Sequence, residues 1–354
     1  MKQFSLLIIV AFISFSCKKE YQPRNFKTIN ITEFKQDSSS IRAIYPINKT
    51  SLYYASSNGV IGFTKSNGEK WGKNSFINIK DNDTLIPNFR SIAYNGTAVF
   101  ALSIGNPALL YKFDNAKKLT TLVYKEMHDK VFYDSMKFFA DNKHGIAVGD
   151  PTENCASIIL TSDGGNTWSK LSCENLPVFE EGEAFFAASN TNIKIINNTV
   201  WIASGGTKAR ILKSTDFGQT WQIYDTPIIQ GDGPQGIYSI DFYDELNGIA
   251  IGGNYAKPND NCANKAITSD GGKTWTLVAH NQNPNYKSCV QYVPNTNGKE
   301  IFAVGKTGVS FSNNGGHTWT QVSTDSYYTI QFVNENVAWL AGHEKIGKLV
   351  LNKS

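Results

Sequence analysis

Arginine, methionine and cysteine are scarce in this chain: four, three and five copies in 354 residues. The 34 basic side chains exceed the 30 acidic ones by only four, too small a surplus to mark a nucleic-acid surface. After residue 16 no apolar run is long enough to span a bilayer as a helix. No G-x-G-x-x-G opens a helix after a strand and no P-loop is present, so no nucleotide cofactor is expected. The five histidines (128, 144, 280, 317, 343) have no ligand spacing, which argues against zinc. Oxygen-rich stretches at 81–84 and 259–261 do not match a calcium loop and are read as polar turns. No serine or cysteine has a nucleophile context, and neither a metal nor a cofactor is expected.

What is present begins with an export signal. Lys2 precedes an apolar stretch, residues 4–15, that is too short to be a membrane anchor. It ends at Ser14, Phe15, Ser16 and Cys17, which resembles a bacterial lipobox, although leucine is more usual three places before the cysteine. The resemblance implies cleavage before Cys17, lipidation of its thiol and attachment to the bacterial cell envelope, with the outer membrane the expected site. Residues 1–16 are then the signal peptide, 17–24 a tether and 25–354 one domain. Loss of Lys2 leaves 33 basic against 30 acidic side chains.

Repeats decide the fold class. The pattern S/T-x-D-x-G-x-T-W occurs at 161–168, 214–221 and 268–275, with Asp163, Asp216 and Asp270 before Trp168, Trp221 and Trp275. A fourth copy at 312–319 keeps Trp319 but has Asn313 and Asn314 where the aspartate belongs, and residues 65–71 read as a shortened copy. The tryptophans are 53, 54 and 44 residues apart, the size of a four-stranded propeller blade. In such a turn the aspartate accepts backbone N–H groups, glycine takes the positive-φ position and the tryptophan packs between sheets. These motifs resemble the Asp boxes of BNR repeat proteins, and their role is structural.

The expected architecture is all-β: a seven-bladed propeller of four-stranded antiparallel blades, with six or eight blades as alternatives. Inner strands are expected at 40–47, 89–95, 132–139, 183–189, 237–243, 287–293 and 327–333. The last unit lacks an outer strand, and residues 26–34 alternate well enough to supply it, closing the ring by pairing the two ends of the chain.

The repeat region also resembles the photosystem II stability/assembly factor-like propellers. The likeness rests on the Asp boxes, Gly149-Asp150-Pro151, the run from Gly182 to Ser189, and Gly252 to Tyr255. It implies a seven-bladed ring that binds other molecules.

Candidate site residues follow from position. Long loops in the middle blades (149–155, 171–183, 205–210, 224–238, 252–262 and 279–287) belong to one face around the channel mouth. Aligned inner strands put Arg42, Arg90, Asp134, Glu183, Tyr238, Lys287 and Tyr328 in one slot, and Asp150, Arg210 and Tyr255 are added from the loops. These ten are expected to line a funnel, either as a ligand site or as a charge-balanced solvated mouth. With Cys17 lipidated, four cysteines remain: Cys155 with Cys173, equidistant from an Asp-box turn, and Cys262 with Cys289 near the loop-rich face are the expected disulfides.

Three functions fit: a monomeric envelope module binding a protein or glycan, a sialidase-like glycoside hydrolase, or a structural envelope protein. The hydrolase needs an arginine cluster, a tyrosine nucleophile assisted by a glutamate, and an acid/base, for which Arg42, Arg90, Arg210, Tyr238, Glu183 and Asp134 are the candidates.

Overall fold

The computed structural model describes residues 21–76, 78–80 and 83–351. Cys17 lies outside them. The only helix among the described residues is the single 3-10 turn Cys173–Asn175; all other regular structure is β.

Seven antiparallel sheets stand around a central axis. Their inner strands are the second half of Ile31–Asn48, then Phe89–Tyr94, Tyr133–Phe138, Ile193–Ile196, Gln235–Phe242, Cys289–Tyr292 and Thr329–Asn334, which define blades 1 to 7. Blade 3 is typical, with Gly145–Gly149, Ser157–Thr161 and Ser169–Lys170 following outward. Blade 2, whose repeat is the weakest in sequence, is a full blade ending in the long outer strand Leu119–Glu126. Blade 7 is completed from the other end of the chain: residues 31–35 pair with 345–349 of His343–Val350. One continuous strand thus ends blade 7 and begins blade 1, which leaves the ring without a gap.

The core lies between blades, where apolar faces of adjacent sheets meet. Trp201 of blade 4 stacks on Phe242 of blade 5 with ring centroids 4.2 Å apart. Each Asp-box tryptophan packs toward the preceding blade; Trp168, for example, meets Phe100 of blade 2 and Phe138 of its own blade. Between them Gly165, at φ +80°, leaves no room for a side chain, because a Cβ there would lie 2.4 Å from the Phe100 ring. The box aspartates act as read from sequence. Asp163 accepts the N–H groups of Asn166 and Thr167 at 2.9 and 3.0 Å and the Thr167 hydroxyl at 2.7 Å. In the fourth copy Asn314 takes this place, accepting from Thr318 N–H at 2.9 Å. The turn at 65–71 is full length: it begins at Thr64, whose hydroxyl accepts from Gly68 N–H, and Ser66 stands in for the aspartate by accepting from Lys70 N–H.

Inner strands expose an unpaired backbone edge to the axis, and side chains of the preceding blade satisfy it. Ser239 and Asp241 accept from Val290 and Tyr292 N–H at 2.9 and 2.7 Å, and Gln291 accepts from Phe332 N–H at 2.6 Å.

One expected inner strand is corrected. Blade 4 begins with Ile193–Ile196, not with residues 183–189. Only Glu183–Ala184 of that run is extended, paired with Gly205–Gly206. Residues 185–192 instead cross the top of the channel. Asn190, at φ +59°, donates to Ile92 O and accepts from Met136 N–H, both at 2.9 Å, while Ser189 donates to Ser288 O at 2.7 Å. The segment thereby ties blades 2, 3 and 6 together and plugs the channel.

Cys155 and Cys173 form a disulfide with Cα atoms 5.5 Å apart, as expected for residues flanking one hairpin. The other expected pair is corrected: Cys262 is exposed and unpaired, and Cys289 is buried and unpaired. Loop order brought both to one face, but Cys289 turns inward between blades 6 and 7, where its sulfur accepts from Ile330 N–H at 3.5 Å.

Candidate functional site: the funnel above the plug

Four of the slot residues share a local cause. Ladder register slips at Arg42, Arg90, Asp134 and Tyr238, so each is a bulge near the start of its inner strand. A bulge re-aims its side chain out of the pleat, here toward the axis at the loop-rich face. In blade 6 the same slot holds Ser288, whose N–H shares Val304 O with the ladder, and in blade 7 it holds Tyr328 on Ala341 O.

Arg42, Arg90, Tyr238, Ser288 and Tyr328 border a cleft of about 680 Å³ whose floor is residues 184–188, at the start of the plug. Arg42 and Arg90 stand on one side. Arg42 donates to Ala188 O at 3.3 Å with its guanidinium 3.9 Å above the Tyr328 ring, and Arg90 donates to Ala187 O at 3.2 Å. Neither forms an ion pair among the described residues. Burial lowers the pKa of both, and the Arg42 charge helps hold Arg90 down at about 10. Both remain charged at neutral pH, and the Arg42 Nε is buried without a partner.

The opposite wall is aromatic. Phe186 of the plug stacks on Tyr238, Tyr286 meets the same tyrosine edge-on at 4.8 Å, and the half-exposed Tyr255 lies at the rim. Asp150 lies between the walls, accepting from Phe185 N–H at 2.7 Å, and burial pushes its carboxyl up to about 6. Asp134 lies beneath the cleft, fully buried, and neither of its oxygens receives a well-formed hydrogen bond. Burial first and the Asp150 charge second push its carboxyl well above the usual range, against the pull of Arg90.

Of the ten candidates, Arg42, Arg90, Asp150, Tyr238, Tyr255 and Tyr328 line the cleft, with Asp134 directly under it. Three go elsewhere. Glu183 is not on an inner strand and is not beside Asp134 in blade order; it forms a buried ion pair with Arg210, which donates through Nε at 2.9 Å and through Nη2, while Ser204 donates to the same carboxylate at 2.7 Å. This clamp fastens the plug to blade 4. Lys287 lies one residue before its slot and is buried, donating to Thr307 Oγ1 and Gly308 O at 2.8 and 2.9 Å. Phe186, Tyr286, Phe132 and Ser288 line the cleft without having been singled out from sequence. The small residue and then the apolar one that follow each slot, here Cys289 and Val290, are the signal that finds Ser288; the plug aromatics have none, because their run reads as a strand.

The sialidase-type constellation is not assembled. Glu183 and Arg210 are occupied with each other, and Tyr238 donates to Pro234 O at 2.9 Å with burial driving its phenol well upward. Among the described residues no carboxylate is hydrogen-bonded to it.

No family model matches the chain, and no curated protein matches it. Solved structures do. A structure described as YCF48 bound to D1 peptide aligns with a TM-score of 0.64 at 14% identity, covering 94% of this chain and 98% of that one. YCF48 from Cyanidioschyzon merolae gives 0.62 at 13%, covering 90% and 98%. The WD40 propeller domain of Doa1 gives 0.59 at 12%, covering 91% and 96%. The likeness is one of fold.

Proposed function

We propose that the protein is a binding propeller of the bacterial envelope that takes an extended protein segment, carboxylate first, into the funnel. The observation that carries this reading is the pair of unpaired guanidiniums, Arg42 and Arg90, facing an aromatic wall across one cleft. Two forked donors without a protein anion suit a carboxylate, and the Phe186, Tyr238 and Tyr286 surface suits an apolar or aromatic side chain beside it. YCF48, a fold neighbour, has a structure bound to D1 peptide, which supports a peptide over a glycan.

Anchoring through Cys17 belongs to the same proposal. It is supported by the lipobox resemblance and by how the described chain begins. Arg24 docks on the Asp-box face, donating to Glu300 Oε2 through Nε and Nη2 at 2.9 and 2.6 Å and to Glu335 O at 2.7 Å. Tyr21 donates to the same glutamate. Four residues reach at most about 14 Å, so a lipid on Cys17 would hold the Asp-box face to the membrane and turn the funnel away from it.

The test uses exported protein with Cys17→Ser and a peptide array whose members end in a free or an amidated C-terminus. Binding that needs the free carboxylate and is lost in Arg42→Ala and Arg90→Ala supports the reading. Equal binding of amidated peptides, or binding indifferent to both arginines, overturns it.

A further inference from the structure

Below the plug a second chamber opens toward the Asp-box face, separate from the funnel. Ladder register defines one layer of side chains there: Tyr45, Ala93, Lys137, Lys194, Asp241, Gln291 and Gln331 each pair at the same level of their own blade. In blades 5 and 6 this position carries an acceptor that satisfies the next blade's N–H group. Blades 3 and 4 carry lysines instead, which accept nothing. Lys194 reaches forward to Asp241 at 2.5 Å, and so the layer's one carboxylate is already neutralised.

Lys137 is left over. Among the described residues its ammonium has no ion pair and no hydrogen bond, and it lines a cavity of about 300 Å³ with Tyr45, Asn190, Lys194, Asn197 and Gln331. The Tyr45 hydroxyl, too, has no hydrogen-bond partner among the described residues. Asn190, Asn197 and Lys194 donate to Ile92 O, Glu245 and Asp241, so Lys137, Tyr45 and Gln331 supply the cavity's uncommitted donors, with one uncompensated positive charge.

We propose that this lower chamber binds a small oxyanion, with Lys137 as its charged contact and Tyr45 and Gln331 as neutral donors. A cavity of this size admits a phosphate-sized ion, whose several oxygens match several donors, whereas a single-point anion would leave most of them unused. Burial first and the Lys194 charge second hold the Lys137 ammonium down at about 8, against the pull of Asp241 and the Cys289 thiol. An anion beside it offsets both effects.

The test uses Cys17→Ser protein and three probes at matched ionic strength: inorganic phosphate, glycerol 3-phosphate and sodium chloride. Phosphate is expected to raise the thermal midpoint saturably, Lys137→Gln to abolish the rise, and the Arg42→Ala, Arg90→Ala double variant to keep it. Glycerol 3-phosphate equal to phosphate assigns the site to a headgroup-like ester; a response to phosphate alone assigns it to the free ion. A second readout avoids the variant's fold: phosphate should slow acetylation of Lys137 in unchanged protein by about threefold or more. No saturable rise, a rise that survives Lys137→Gln, or unchanged Lys137 acetylation overturns the proposal without touching the peptide reading of the funnel.

Discussion

Phe186 and Tyr238 lie face to face, ring centroids 3.9 Å apart and planes 2° from parallel. The contact holds the channel plug against blade 5 and makes the plug part of the funnel wall. Phe186→Ala is expected to cost about 1–3 kcal/mol, from lost apolar burial and stacking. Limited proteolysis should then cut within residues 182–190 before any other segment, and cleavage elsewhere first would contradict the plug's dependence on this contact.

Acidity should tighten binding in the funnel. Burial raises the Asp150 carboxyl from 3.8 to about 6, and Asp134 moves in the same direction. A carboxyl raised on folding contributes stability that is fully present below its unfolded pKa and is lost as pH rises through the folded value. Asp150 therefore favours the fold below about pH 4 and stops doing so above about 6. Between pH 7.5 and 5.5 the funnel loses this negative charge, while a peptide C-terminus, with a pKa near 3.5, stays ionised. A carboxylate peptide should bind several-fold more tightly at pH 5.5, and Asp150→Asn should flatten the dependence. Titration calorimetry at the two pH values decides it.

The Glu183–Arg210 pair is expected to behave as a buried clamp and not as catalytic machinery. Removing one partner strands the other in a site with almost no solvent, at a cost of about 3–5 kcal/mol. Glu183→Gln and Arg210→Met should each lower the denaturation midpoint, and the double variant should lose much less than the two losses combined. Additive losses in urea titrations would show that the pair is not coupled.

Thiol chemistry separates the cysteines. Unreduced native protein with Cys17→Ser should take one maleimide quickly, at Cys262, and a second only after unfolding, at Cys289. Peptide mapping that finds Cys155 or Cys173 labelled before reduction would refute the disulfide between them.

The Asp-box turns should contribute unequally. Burial works against ionisation of Asp270, but the Thr274 hydroxyl and N–H groups outweigh it and hold the carboxyl at about 2. Asp270→Ala removes these bonds and should cost about 1–2 kcal/mol, by analogy with a lost helix N-cap. Asn314→Ala should cost less, because an uncharged amide supplies the acceptor there. Equal midpoints for the two variants in thermal melts would argue against the charge contribution.

Blade periodicity was readable because a propeller repeats its local chemistry: a turn that needs aspartate, glycine and tryptophan leaves those letters in the chain. Arg42, Arg90, Asp134 and Tyr238 could be aligned for a related reason, since each is followed by a small and then an apolar residue, Ala43-Ile44, Ser91-Ile92, Ser135-Met136 and Ser239-Ile240. Blade 4 misled because an aromatic run such as 183–189 has the same apolar character whether it is paired as a strand or pressed across a channel. Ile193–Ile196 is the shorter and plainer run, and only the Asn190 turn before it marks the true start. The Cys262 and Cys289 pairing failed on direction: chain order tells which end of a strand a residue occupies, not whether its side chain points to the loops or between blades.

The strand Ile31–Asn48 belongs to two blades, and its first five residues are zipped to the last strand of the chain. Tension applied through the N-terminus would first meet the Arg24 clamp on Glu300 and then load the 31–35 ladder along its length. Rungs loaded in shear yield together, not one after another as in peeling. The clasp that closes the ring is thus also a mechanical fuse, placed between the N-terminal segment and the six blades behind it.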